Sequence, residues 1–441
     1  MNDEHMRLLK EAVHNLHLDN SYGTIQVAFG CKSSGGVFTE EKCIRFGVEK
    51  KIPLDQIPEE KRIPKTITID GVEYKTDVYV APKDISISTV MRKIDSTEAT
   101  EGVNVMAVSL CNAIGTNDVP PQSVSTVVSH SRATRRPLRG GVSMAHPPKS
   151  GYVNAGTLGL MVVDDRDGKL VGLTNNHVCS VPGESVTSTC RFFTNDTSYP
   201  ASSSKYETIR MYQQSSWDSG VVNKASDLIG ITKRVYPLRS TGSNYVDCGL
   251  VNLSDSIINT GSWDVVSSSF GTAPTFASTA EIDAMTTSTP IFKCGRTTGA
   301  IGPDNFGGCI IQVTSTSTSL NVGGYIESKN DAISFADCLT LESPSTVVGL
   351  GGDSGSGVYA KIGGIWKLVG LFFAGTGDGS YGVACRIDRI AGALKISPYT
   401  GAAITANTGS KSSITLDYAT YGGEVSASIG GKMYWQVGKF A

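Results

Sequence analysis

The 441-residue chain predicts a mainly β protein, with a small α/β unit at its N-terminus and a β-rich extension at its C-terminus. Three observations carry this reading. Gly supplies 49 residues, about one in nine against a usual ~7%, so tight turns are abundant. Ser and Thr crowd the stretches between short apolar runs, as in strands joined by turns. From Gly151 to about Leu394 the apolar residues show little helical period and recur at the spacing of a sandwich or barrel.

Taken in order, Met6, Leu9, Val13 and Leu16 fall at helical spacing and predict a short amphipathic helix. Thr24–Phe29 alternates like a strand, and Cys43–Val48 reads as a second one. The three prolines of KIPLDQIPEEKRIP, residues 51–64, exclude one regular element. Thr66–Ile69 and Tyr74–Val80 flank Asp70-Gly71, a hairpin signal. Residues 112–141 carry Pro120-Pro121 and arginines 132, 135, 136 and 139, and read as a linker or surface strap. Such a basic stretch reads either as solvated charge or as a cleavage site that releases the first domain. Strands are expected at Leu158–Val163, Val246–Val251, Ile291–Lys293, Gly308–Val313, Leu368–Phe373 and Tyr381–Ile387. Glu184–Ser216 and Ser315–Asp331 are Ser/Thr-rich and expected as loops, and Asp388–Ile396 as a short helix. The domain reading is therefore 1–100, a small α/β domain; 101–150, a strap; 151–396, the strand-rich domain; and 397–441, a β extension.

Composition excludes several functions. Lys+Arg is 39 and Asp+Glu 41, a net charge of −2, without the basic excess of a nucleic-acid or anionic-membrane binder. No apolar run is long enough to span a bilayer. Residues 1–20 are charged from residue 3 and lack the apolar core of a secretory signal, so a cytoplasmic location is expected. The ten cysteines form no C-x-x-C pair and read as buried thiols. His14 and His17 share a helix face without further ligands, so neither a metal nor a cofactor is expected.

Three segments carry the chemistry. His177 follows an apolar strand in Leu173-Thr174-Asn175-Asn176-His177-Val178. Asp247 sits in an apolar run, Tyr245-Val246-Asp247-Cys248-Gly249-Leu250-Val251. Ser354 lies in a glycine-rich turn, Gly351-Gly352-Asp353-Ser354-Gly355-Ser356-Gly357. A serine hydroxyl is a weak nucleophile near neutral pH and needs an adjacent base. Histidine takes that proton, and a carboxylate behind it fixes the tautomer and stabilises the imidazolium. Glycines beside the serine free N–H groups for a developing oxyanion, here those of Gly352 and Ser354. Asp218, 41 residues after His177, competes for the carboxylate role but lacks the apolar strand context. Cys179 reads as a small buried thiol.

These segments resemble trypsin/chymotrypsin-like serine peptidases, whose T-A-A-H and G-D-S-G-G-P motifs are similar to TNNHV and GGDSGSGV here. The resemblance is nearer to a mostly bacterial branch with NNHV, N-x-V-D, G-R-T-T-G and GGDSGS motifs behind a small N-terminal domain. The corresponding residues are Asn244-Tyr245-Val246-Asp247 and Gly295-Arg296-Thr297-Thr298-Gly299. Val48–Leu54 and Ala155–Gly159 resemble further segments of that branch. The likeness covers roughly residues 20–395. It implies a double β-barrel and a serine endopeptidase with His177, Asp247 and Ser354 as the triad. It also implies that Phe373, Ala374 and Gly375 bind substrate backbone, within Leu371–Gly375. Thr376–Tyr381 would rim the specificity pocket, and Asp378 there either favours a basic side chain or faces water.

Two departures stand out. Ser354-Gly355-Ser356-Gly357 replaces S-G-G-P, and no I-V-G-G-like N-terminus precedes the histidine segment. In the animal enzymes a freed N-terminal ammonium pairs with the aspartate that Asp353 matches; the resemblance to the G-R-T-T-G branch implies an Arg296–Asp353 pair in its place, with an oxyanion hole formed without a zymogen switch. The expected partners are a protein or peptide substrate and a regulatory protein. Competing readings are a silent protease-like scaffold that binds a peptide or protein, and a restricted enzyme that processes itself or one partner.

Overall fold

The computed structural model describes residues 2–88, 90–93, 132–147, 152–180, 186–187, 209–219, 224–258, 264–265, 270–303, 308–325, 332–344, 346–401, 426–427 and 433–434. Helix α1, Asp3–Asp19, starts where the Asn2 side chain accepts the His5 N–H at 2.8 Å. Its apolar stripe of Met6, Leu9 and Val13 is buried on Val27 and Phe29 of β1 (Gln26–Ser34) and Ile44 and Phe46 of β2 (Val37–Val48). Each such side chain contributes about 1.5–3 kcal/mol by leaving water. The proline-rich stretch forms only single turns, Leu54–Gln56 and Glu59–Lys61. Asp70 (φ 49°) and Gly71 (φ 75°) close the hairpin of β3 (Thr66–Ile69) and β4 (Val72–Val80).

This N-terminal unit continues the largest sheet of the molecule. β1 pairs with β2 on one side and antiparallel with the strand Gln312–Val322 on the other, with Gln26 opposite Leu320. From that strand the sheet runs through Ile333–Glu342, Tyr381–Arg386, Ile365–Gly375, Gly357–Ile362 and Ile291–Gly295 to Gly299–Ile301. The loop expected at Ser315–Asp331 is thus corrected. Its first eight residues complete the strand, and residues 326–331 lie outside the described region. The alternating Thr/Ser run is buried between neighbours on both edges, where β-branched threonines suit a pleated surface.

A second, six-stranded sheet runs Arg210–Tyr212, Leu228–Val235, Gly249–Leu253, Lys169–Thr174, Leu160–Asp164 and Ile396–Pro398. The strand Tyr152–Leu158 links the two regions: Thr157 N–H donates to Ser354 O at 2.7 Å, and Thr174 Oγ1 donates to Thr157 O at 2.7 Å. The His177 strand and the Ser354 turn therefore meet across Gly156-Thr157. The helix expected near residue 388 spans Ile387–Leu394.

Of the strap, residues 112–131 lie outside the described region, but 132–141 are docked. Arg136 donates to the Gln213 side chain at 2.5 Å, and Leu138 N–H donates to Ile257 O at 2.7 Å. Of the C-terminal extension, the described part beyond residue 401 is one short pair, Ser426–Ala427 with Met433–Tyr434. Of the eight described cysteines, all but Cys309 are buried. Among the described residues no helix is long and apolar enough to cross a membrane.

Candidate active site

His177 stands on a one-turn helix, Asn176–Cys179, immediately after the strand Lys169–Thr174. The two asparagines before it anchor that turn. Asn175 Nδ2 donates to Asp247 O at 2.7 Å, and Asn176 Nδ2 donates to Tyr236 O at 2.7 Å. His177 Nδ1 lies 2.5 Å from Asp247 Oδ2, and the His177 backbone N–H donates to Asp247 Oδ1 at 3.3 Å. The two side chains are 1% and 0% exposed, so this contact is shielded from water. With Nδ1 donating to the carboxylate, Nε2 is left as the basic nitrogen, and it has no hydrogen-bond partner among the described residues.

Asp247 was expected inside a strand, and the structure corrects this. Regular pairing starts at Gly249, and the Asp247 N–H donates to Cys385 Sγ at 3.1 Å rather than to a ladder carbonyl. Leaving the ladder frees the side chain to face the imidazole. A tyrosine that sequence reasoning missed completes the carboxylate's shell: Tyr325 donates its hydroxyl to Asp247 Oδ2 and sets its ring edge-on to His177, centroids 5.8 Å apart. Burial, and then the adjacent carboxylate, push the Tyr325 hydroxyl far above the usual phenol range, so it stays a donor. Burial likewise raises the Cys179 thiol, which leaves it inert.

Ser354 is buried in the turn before the strand Gly357–Ile362. Gly352 (φ 96°) and Gly355 (φ 94°) flank it in a backbone region that side chains avoid. A Cβ on Gly355 would lie 2.1 Å from Thr157 O. Both expected oxyanion donors converge on one acceptor, the carbonyl of Ser88: Gly352 N–H at 2.6 Å and Ser354 N–H at 3.1 Å. The Ser354 hydroxyl itself donates to Phe373 O at 3.0 Å. The structure thus joins His177 to Asp247, and both donors to a carbonyl, while the serine hydroxyl points to backbone.

Phe373, Ala374 and Gly375 form a sheet edge that is already occupied. Ser88 N–H donates to Phe373 O at 3.0 Å. Ile87 and Ser86, which form the short strand β5, sit antiparallel to Ala374 and Gly375.

The Arg296–Asp353 pair expected from the sequence does not describe this site. Arg296 pairs with Asp218, Nη2 to Oδ1 at 2.6 Å and Nε to Oδ2 at 3.0 Å. Asp353 takes Lys293, Nζ to Oδ2 at 3.1 Å, with both side chains 0% exposed. The reason is reach: the strand Ile291–Gly295 pairs with Gly357–Ile362 through Lys293 and Val358, which sends the lysine under the serine turn. Asp353 also accepts N–H groups of Leu350, Thr297 and Thr298 and the Thr298 hydroxyl. Burial alone would raise its pKa, but the Lys293 charge and these donors hold it below the usual range. Asp218, the competing triad carboxylate, is held low by Arg296 in the same way despite burial. Asp378 is exposed and closes its own loop, accepting from Thr376 Oγ1 at 2.6 Å and Ser380 N–H at 3.0 Å. Among the described residues no group of three His, Cys, Asp or Glu converges as a metal site.

No family model and no curated protein matches the chain. Solved structures to which it is similar include Thermobifida fusca protease A and a Cellulomonas bogoriensis chymotrypsin. The TM-scores are 0.33 and 0.32; each is 14% identical, covering 60% of this chain and 98% of the other. At that level of likeness the site has to be read from its own geometry.

Proposed function

We propose that the chain is a serine endopeptidase of the trypsin-like kind, built as a chymotrypsin-like double β-barrel and hydrolysing peptide bonds of protein substrates through an acyl-enzyme. The observation that carries the reading is the convergence of Gly352 and Ser354 N–H groups on one peptide carbonyl, together with a buried His177–Asp247 contact. In the reaction Ser354 Oγ attacks the scissile carbonyl carbon while His177 Nε2 takes its proton. Gly352 and Ser354 N–H groups stabilise the oxyanion, and Asp247, held by Tyr325 and the Asn175 side chain, stabilises the imidazolium. His177 then protonates the leaving amine, and water repeats the sequence on the acyl ester. The hydroxyl must first leave Phe373 O for His177.

A silent peptide-binding scaffold is the second reading, favoured by that same bond from Ser354 to Phe373 O. Labelling with a fluorophosphonate separates the two. Wild type and Ser88→Pro are compared with Ser354→Ala and His177→Ala. The endopeptidase reading expects label on Ser354 in the first two and none in the last two. Absence of label from both wild type and Ser88→Pro, with circular dichroism showing them folded, would overturn it.

A further inference from the structure

We infer that the chain is its own substrate, cleaved after Ser88 by its own Ser354. This rests on the endopeptidase reading and names the first bond that the site takes.

The segment Ile85–Ser88 lies along Phe373–Gly375 as an extended peptide substrate would. Ser88 N–H donates to Phe373 O at 3.0 Å, and Ala374 and Gly375 continue the pairing with Ile87 and Ser86. The other edge of the segment is held as well: Ile87 N–H donates to Gly323 O at 3.1 Å, and Gly323 N–H donates to Ile85 O at 2.9 Å. The segment is thus an added strand clamped on both edges, the mode by which sheets capture extended peptides. Its last carbonyl, Ser88 O, sits between the Gly352 and Ser354 N–H groups at 2.6 and 3.1 Å, close to the ~2.7–3.1 Å expected of oxyanion-hole donors. A strand that only filled space would need no convergence of two N–H groups, those of Gly352 and Ser354, on one of its carbonyls. Ser88 is itself 6% exposed, so the residue is buried where it docks.

The chemistry balances with the groups present and water. Ser354 Oγ bonds to the Ser88 carbonyl carbon, and its proton passes to His177 Nε2. The bond from that carbon to the Thr89 nitrogen breaks, and the nitrogen leaves as an amine with the proton from His177. Water then cleaves the ester, which restores Ser354 and leaves Ser88 as a carboxylate. The released piece stays docked, because β1 remains paired to Gln312–Val322 and Lys10 remains paired with Asp283 at 2.9 Å. The new carboxylate remains in the oxyanion hole as a product, which makes the N-terminal unit a tethered inhibitor of cleavage in trans.

The test is intact-mass analysis of the full chain after denaturation. Wild type is expected as two pieces, one ending at Ser88 and one beginning at Thr89, that co-elute under native conditions. Ser354→Ala is expected intact, and to stay intact when mixed with wild type, which marks cleavage within one molecule. Ser88→Pro removes the N–H that meets Phe373 O. It is expected to stay full length and to label about tenfold faster with a fluorophosphonate, the gain when a site one-tenth free becomes free. Three results would overturn the inference and leave the endopeptidase reading in place: an intact wild type that still labels at Ser354, a Ser354-dependent cut elsewhere, or a cut within residues 112–141 alone. Identical pieces from wild type and Ser354→Ala would also overturn it. An intact chain that labels neither as wild type nor as Ser88→Pro overturns both.

Discussion

Removing either member of the Lys293–Asp353 pair must destabilise the protein, and the two removals must differ. Both side chains are 0% exposed and 3.1 Å apart, so deleting one strands a buried charge. Breaking such a pair costs about 3–5 kcal/mol. In Lys293→Met the carboxylate keeps the N–H groups of Leu350, Thr297 and Thr298 and the Thr298 hydroxyl, at 2.8–3.1 Å. That places the loss near the lower end, about 3 kcal/mol. In Asp353→Asn the ammonium keeps the Thr298 hydroxyl at 3.0 Å and the Phe372 ring at 4.9 Å, much weaker compensation, and the loss nears about 5 kcal/mol. The double variant strands no charge, so the cycle should show a coupling of about 2 kcal/mol or more. The assay is urea unfolding at pH 7 followed by tryptophan fluorescence and circular dichroism. A loss below about 1 kcal/mol for Lys293→Met, or a milder effect in Asp353→Asn, would refute the reasoning. So would a larger coupling of Asp353 to Arg296 than to Lys293, which would restore the pair expected from the sequence.

Two further predictions test the site and the fold. Tyr325→Phe deletes a buried hydrogen bond to a carboxylate, worth about 1.5–3 kcal/mol, and should lower stability by about 2 kcal/mol while slowing fluorophosphonate labelling several-fold; unchanged unfolding would remove Tyr325 from the Asp247 shell. Burial pushes the Asp388 carboxyl up, but the Arg386 charge and hydrogen bond, the Thr279 hydroxyl and the Arg389 charge together hold it at about 2 against an ordinary 3.8. A depressed carboxylate contributes its stability in full above its unfolded value and loses it as pH falls through the folded one. Asp388→Asn should therefore cost about 2 kcal/mol at pH 7 and progressively less between pH 4 and pH 2; a cost that is constant with pH would contradict this.

Local elements were legible along the chain, and so were the candidates for a catalytic site. The spacing of Met6, Leu9 and Val13 specified α1, and Asp70-Gly71 its hairpin, because both depend on neighbours a few residues away. His177, Asp247 and Ser354 could be singled out as candidates because few residue types suit such chemistry, and glycines at 352 and 355 supply the positive φ of the serine turn. Which of these residues meet depends on strand register and packing. Lys293 rather than Arg296 reaches Asp353, since strand register, not sequence distance, sets which side chain lies beneath the turn. Tyr325 joins Asp247 across 78 residues, and no local pattern marks it. Most consequential is Ser88, an unremarked serine in an Ile-Ser-Ile-Ser run. It lies where it does because Gly323 on one side and Phe373–Gly375 on the other pair with the backbone of Ile85–Ser88, an arrangement created by the fold and invisible along the chain.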